Sequence, residues 1–157
     1  MAPRVICCDY RDGLVFPGGA LQLNVMRTWG MRTNARTVQN IDFHHCNSAF
    51  HHLPMINMDE AAGRDLNFWK DWIQHPEYSS YWEEFDDEQR FGAIAAPALN
   101  MGGWYDLYAS QTFTNFNGLR HEGTSPEARQ SKLIVGPWPH ALSQSSTTGD
   151  IDFGAHS

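Results

Sequence analysis

Two short apolar runs, each ended by glycine and separated by a helix-length segment, constrain this chain more than any other feature in it. The first, Pro97-Ala-Leu-Asn-Met-Gly-Gly103, reads as a buried strand. Leu107 to Leu119 then carries Tyr108, Thr112, Phe113, Phe116 and Leu119 at helical spacing. A polar loop from His121 to Gln130, containing Gly123 and Pro126, leads into Lys132-Leu-Ile-Val135, a second strand stopped by Gly136-Pro137. Strand, helix and strand in about forty residues make a βαβ unit, and such units are almost always parallel and right-handed. Parallel strands are buried on both faces and so read as continuous apolar runs, as these two do. One βαβ unit cannot stand as a sheet alone, so the remaining strands are missing or come from elsewhere.

Upstream the pattern is helical and irregular. Val5-Ile6-Cys7-Cys8 is a short apolar stretch, and Asp9 to Gly19 is turn-rich. Leu21, Val25, Met26 and Trp29 suggest a helix from Ala20 to about Met31, whereas residues 32–58, broken by Pro54, suggest loops with short helical turns. A clearer helix is expected from Glu60 to Gln74. Asp59 would be its N-cap, Ala62, Leu66, Trp69 and Ile73 its buried stripe, and His75-Pro76 its end. Ser80-Tyr81-Trp82-Glu83 fits a capping box. The acidic residues from Glu83 to Glu88 suit a solvated helix face, and the Ser/Thr/Gly-rich tail from Ser143 to Ser157 suits a poorly ordered end. No internal repeat is visible.

Composition narrows the function classes. With 41% hydrophobic residues, six Trp and nine Phe, the chain has aromatic bulk that must be buried, which excludes a disordered protein. A net charge of -7 argues against nucleic acid as the main partner, although five arginines face two aspartates in residues 1–40. Cys7, Cys8 and Cys46 form no disulfide framework, which points to a reducing compartment. No apolar run approaches a membrane span and no signal peptide is visible, so a cytoplasmic location is expected.

In open parallel sheets, sites form outside the carboxyl ends of the strands. Asp106 follows the first strand, in Gly102-Gly103-Trp104-Tyr105-Asp106, and His140 follows the second, in Gly136-Pro137-Trp138-Pro139-His140. Parallel strands would open both loops on one side of the sheet, where a carboxylate can orient an imidazole and stabilise its cationic form. On spacing alone a second reading stays open, with Asp106 as a helix N-cap and His140 as a loop residue.

The surrounding motifs carry a resemblance. The series runs from Trp72-x-x-His75-Pro76-x-Tyr78-x-x-Tyr81-Trp82 through Ile94-x-x-Pro97 and Gly103-Trp104-Tyr105-Asp106 to Gly136-Pro137-Trp138-x-His140. It is similar to the family of X-Pro dipeptidyl peptidases, cocaine esterase and related acylases. The resemblance extends over most of residues 9–143, including Asp9-Tyr-Arg-Asp12 and Pro17-Gly18-Gly19. It implies an incomplete α/β-hydrolase fold, with a helical cap followed by a βαβ unit of the parallel sheet. Residues 1–19 would lead in from the end of a truncated sheet strand. Residues 20–92 would be the cap, 93–142 the core part, and 143–157 a truncated polar tail.

By the same resemblance Asp106 is the acid of a catalytic triad and His140 its general base. Trp104 and Tyr105 would pack around the substrate pocket, and Trp138 would support the histidine loop. The implied reaction is hydrolysis of an ester or amide, X-Pro dipeptidyl bonds among them, through an acyl-serine intermediate. Its partner would be a small ester or peptide substrate of the full-length parent; no metal or organic cofactor is implied.

The nucleophile is where the chain departs from the family. No G-x-S-x-G elbow is present, and Ser48, Ser110 and Ser143 lack the flanking glycines such a tight turn requires. The expectation is a fragment that begins inside a domain and is inactive alone. Two rival readings remain. One is a non-catalytic piece that associates through unpaired strand edges, complementing a half that carries the serine. The other is a metal site at His44-His45-Cys46 and His51-His52.

Overall fold

The computed structural model describes residues 1–25, 29–33, 47, 49–141 and 146–155. It divides into two compact units, one made of Met1–Leu14 with Trp82–Ser157 and the other of Val15–Tyr81.

The first unit is built on two parallel strands, β1 (Leu99–Tyr105) and β2 (Lys132–Pro139), joined by helix α1 (Ala109–Glu122). The register pairs Leu99 with Lys132 and continues to Gly103 with Gly136. β2 does not stop at Gly136-Pro137 as the sequence suggested. Tyr105 next pairs with Pro139, so β2 spends one more residue than β1 there and bulges. A proline fits because β2 pairs on one side only among the named strands, leaving a position that requires no ladder N–H.

The N-terminal segment lies along the other edge of β1. Leu99 and Met101 donate to the carbonyls of Met1 and Pro3, and Val5 donates back to Met101, in a parallel arrangement. The β1 backbone is therefore bonded on both sides, which accounts for its unbroken apolar run.

Glycine sets how closely these layers approach. A Cβ at Gly102 would stand 2.8 Å from the Thr112 hydroxyl, and one at Gly118 would stand 2.1 Å from the Phe91 ring. Helix α1 accordingly buries small and polar side chains: Gln111, Thr112, Asn115 and Gly118, with Leu119. The aromatic stripe read from the sequence is only half-buried at Phe113 and Phe116. The Thr112 hydroxyl has no partner among the described residues, whereas the asparagines bond internally. Asn115 donates to Asn100 Oδ1 at 2.5 Å, and Asn100 donates to the Lys132 carbonyl at 3.2 Å.

Two local expectations fail in this unit. The acidic run is no simple solvated face, because Asp86 is buried, bridges Asp9 through the backbone and accepts from the Glu88 N–H at 2.9 Å. The tail's described part forms a small antiparallel hairpin, β3 (Thr147–Thr148) with β4 (Ile151–Asp152). It is tied to β2 by the Thr148 hydroxyl donating to the Pro137 carbonyl at 2.7 Å.

The second unit is made of short helical pieces. Leu23–Val25 and Met31–Thr33 are single turns where the sequence suggested a continuous helix, and Met26 lies outside the described residues. The expected Glu60–Gln74 helix is two pieces, Met58–Ala61 and Asn67–Gln74. Gly63, at φ 70, turns the chain between them in the left-handed region that glycine tolerates. Asp59 is therefore no N-cap of a single helix. It sits inside the first piece, fully buried, and its Oδ2 accepts from the Leu66 N–H at 2.7 Å, just ahead of the second.

Leu66, Trp69 and Trp72 form the buried side of that second piece, with Met58 and Met31 also buried. The Trp72 to Trp82 motif has a local structural meaning too. The His75 Nδ1–H donates to the Asp71 carbonyl at 2.7 Å, and its ring stacks on Tyr81 at 4.3 Å. Ser80 is the first residue of the Ser80–Glu83 turn, one position later than a capping box requires.

Candidate active site

Asp106 and His140 meet at the carboxyl ends of β1 and β2. His140 Nδ1 lies 2.9 Å from Asp106 Oδ1. The Asp106 side chain is fully buried, whereas that of His140 is 51% exposed. An imidazole N–H pointing at a buried carboxylate fixes the tautomer with the proton on Nδ1 and leaves Nε2 as the basic nitrogen. Among the described residues Nε2 makes no hydrogen bond.

Local backbone geometry places both groups. Asp106 follows β1 directly, with its N–H donating to the Gly103 carbonyl at 3.2 Å and its own carbonyl accepting from Ala109. Its Oδ1 also accepts the Tyr108 N–H at 3.0 Å, an Asx-type turn that starts α1. The helix-cap reading and the carboxylate–imidazole reading thus describe one residue doing both. Its Oδ2 is buried with no partner among the described residues.

On the other strand, the bulge at Pro137 and Trp138 shifts the chain by one residue before His140. Gly103 makes that crossing possible: a Cβ there would stand 1.8 Å from the Trp138 carbonyl oxygen. Gly103 is thus a steric requirement of the close approach of the two strands next to the pair.

The supporting aromatics occupy different places. Trp104 and Tyr105 are 62% and 50% exposed, Trp104 against Phe113 at 5.5 Å and Tyr105 against Phe153 of the tail at 6.2 Å. Trp138 folds its ring over Gly136, where a Cβ would come within 2.5 Å of it. Tyr108, read from the sequence only as part of the helical stripe, packs its ring edge-on against His140 at 5.3 Å and 78°.

A polar knot beneath α1 was also not legible. The Gln111 carboxamide oxygen accepts from the N–H groups of Cys8 and Asp9, at 3.1 and 2.9 Å, and from the Cys8 thiol at 3.1 Å. Burial pushes both Cys7 and Cys8 up to about 12, so neither supplies a thiolate nucleophile at neutral pH. Among the serines, Ser110 lies exposed within α1, and Ser48 and Ser143 lie outside the described residues. The same holds for His44, His45 and Cys46, while His51 and His52 are exposed. Among the described residues no group of three or more His, Cys, Asp or Glu could hold a metal ion. No described helix is long and apolar enough to cross a membrane.

The parallel strands, the connecting helix and the pair at the strand ends define part of an α/β-hydrolase fold. A solved aminopeptidase structure from a marine sediment archaeon, Thaumarchaeota archaeon, shares this fold. It matches at TM-score 0.67 and 19% identity, covering 96% of this chain and 26% of that one. The chain is also 25% identical over 159 residues to the cocaine esterase of Rhodococcus sp. (strain MB1 Bresler), covering 90% of this chain and 26% of the esterase. The family model of the X-Pro dipeptidyl-peptidase (S15) family matches residues 1–142, and the chain belongs to that family of hydrolases. It spans about a quarter of the length of the relatives it matches.

Proposed function

We propose that this chain supplies the acid–base half of a serine hydrolase, with Asp106 orienting His140 and the nucleophilic serine contributed by sequence outside this chain. The observation that carries the reading is the 2.9 Å contact between His140 Nδ1 and a fully buried Asp106 at the ends of two parallel strands. In the complete site His140 Nε2 takes the proton from the serine hydroxyl as its oxygen attacks the acyl carbon. The imidazolium so formed is stabilised by Asp106, and returns the proton to the leaving alcohol or amine as the acyl–oxygen or acyl–nitrogen bond breaks. Water repeats the cycle to release the acid. Membership of the S15 family and the likeness to an esterase support ester or amide substrates, X-Pro dipeptidyl bonds among them.

On this reading the chain alone is inactive, because it lacks both the nucleophile and the oxyanion donors, which carry the main rate terms. Fluorophosphonate labelling tests this on the chain itself and on a form extended upstream through a G-x-S-x-G segment. Labelling of the extended form only, abolished by His140→Ala, is the expected result. Labelling of the 157-residue chain itself would overturn the assignment of its nucleophile to another segment.

A further inference from the structure

We propose that Tyr108 is a positioning residue for His140, acting through two handles on the acid–imidazole pair. The inference rests on the reading of Asp106 and His140 as a working pair. Its first handle is the backbone: the Tyr108 N–H and His140 Nδ1 both approach the same Asp106 oxygen, at 3.0 and 2.9 Å. That oxygen is thereby held within reach of the imidazole N–H. The second handle is the ring, which stands edge-on to the imidazole at 5.3 Å and 78°. A half-exposed histidine can rotate about its Cβ–Cγ bond, and one hydrogen bond restrains that rotation only weakly. A perpendicular aromatic contact adds the missing restraint.

The geometry around Tyr108 fits such a role. The residue directly precedes α1, whose first turn is pinned by Gln111 to the backbone of Cys8 and Asp9. Its ring is thus fixed to the scaffold instead of swinging with the histidine loop. Burial and the neighbouring Cys7, Tyr10 and Asp106 raise the phenol, which therefore stays neutral and adds no charge beside the pair. The ring, more than the hydroxyl, is the working part.

Proton–nitrogen NMR of the 157-residue chain tests this on Tyr108→Phe, Tyr108→Leu and Tyr108→Met. All three keep the backbone N–H, and only Phe keeps the ring. The His140 Nδ1–H resonance should exchange with water about fivefold faster in the Leu and Met variants than in the parent, with ring nitrogen shifts moving toward mixed tautomers. The Phe variant should match the parent, and the α1 amide shifts should match in all. Unchanged exchange and tautomer in the Leu and Met variants would overturn the proposal and leave the pair intact. Loss of the α1 amide pattern in every variant, Phe included, would overturn it too, making Tyr108 a folding element. Asp106→Asn is the separate control. If the resonance is absent from the parent, or stays unshifted in that variant, the pair itself fails.

Discussion

The two units solve the burial problem with different materials. In the unit built on β1 and β2, the close contacts are made by Gly102, Gly103 and Gly118 against Thr112, the Trp138 backbone and Phe91. Closeness there favours small and polar groups, and Asn100, Asn115 and Ser131 are buried with hydrogen bonds to neighbours, beside an apolar cluster of Cys8, Phe91, Ala98 and Leu119. In the unit from Val15 to Tyr81, no sheet is present among the described residues, and Trp69, Leu66, Met58 and Met31 supply the bulk. A glycine that faces a backbone is irreplaceable, while a glycine that only turns the chain is merely preferred. The sheet unit should therefore be brittle to added volume, and the helical unit more tolerant of it.

The largest expected effect comes from setting two glycines against each other. Gly103→Ala places a methyl group 1.8 Å from the Trp138 carbonyl, which cannot step aside without breaking the crossing. It should destabilise its unit by about 3 kcal/mol or more. Gly63→Ala, with open space around its Cβ at φ 70, should cost about 1 kcal/mol. Hydrogen exchange resolved by residue measures both; equal effects would erase the distinction drawn above.

Next in size is the thiol pair. Cys7 and Cys8 ionise near 9.0 when exposed and are pushed up to about 12 in the folded chain, chiefly by burial. Folding thus favours the protonated thiols. Their stabilising contribution is complete below pH 9.0 and is lost as pH rises toward 12. At pH 9.0, iodoacetamide should modify the two cysteines on the order of a hundredfold more slowly in the folded chain than in urea, followed by site-resolved mass spectrometry. Equal rates would mean the Gln111 knot is open in solution.

In the helical unit the corresponding weak point is Asp59. Asp59→Ala leaves the Leu66 N–H buried without its 2.7 Å acceptor and should cost about 2 kcal/mol, read as exchange protection across Asn67–Gln74. A neutral result would show that the two helical pieces do not depend on this bond. The smallest effect should come from Thr148→Val, which removes the 2.7 Å bond to Pro137 and should weaken the β3–β4 hairpin by about 1 kcal/mol. Its readout is exchange at the Phe153 N–H, which bonds Ser146 across the hairpin.

What could be read in the sequence follows the same divide. The strands and their helix were legible as two short apolar runs flanking a helical stripe, but both strands continue past the glycines that seemed to end them, to Tyr105 and Pro139. Asp106 and His140 were legible as residues just past those ends, and the structure brings them within hydrogen-bond distance. The extent of β2 was not, since a proline reads as a stop unless the missing partner strand is known. The break at Gly63 was masked by a stripe whose spacing holds on both sides of it. Asp86, Gln111 and Asn115 look like surface residues in any local window, and only contacts from distant chain segments bury them. The tail's composition suggested disorder, but a hairpin of two-residue strands needs little more than a turn at Gly149 and the bond from Thr148.

The strand crossing beside His140 also sets how relatives can diverge. At position 103 the obstacle is main chain, so no change of neighbour relieves it, and lineages that keep this crossing should keep glycine there. At position 136 the obstacle is the Trp138 indole, which a smaller residue would remove. Positions 136 and 138 should therefore drift together, a larger residue at one accompanied by a smaller one at the other, while position 103 stands still.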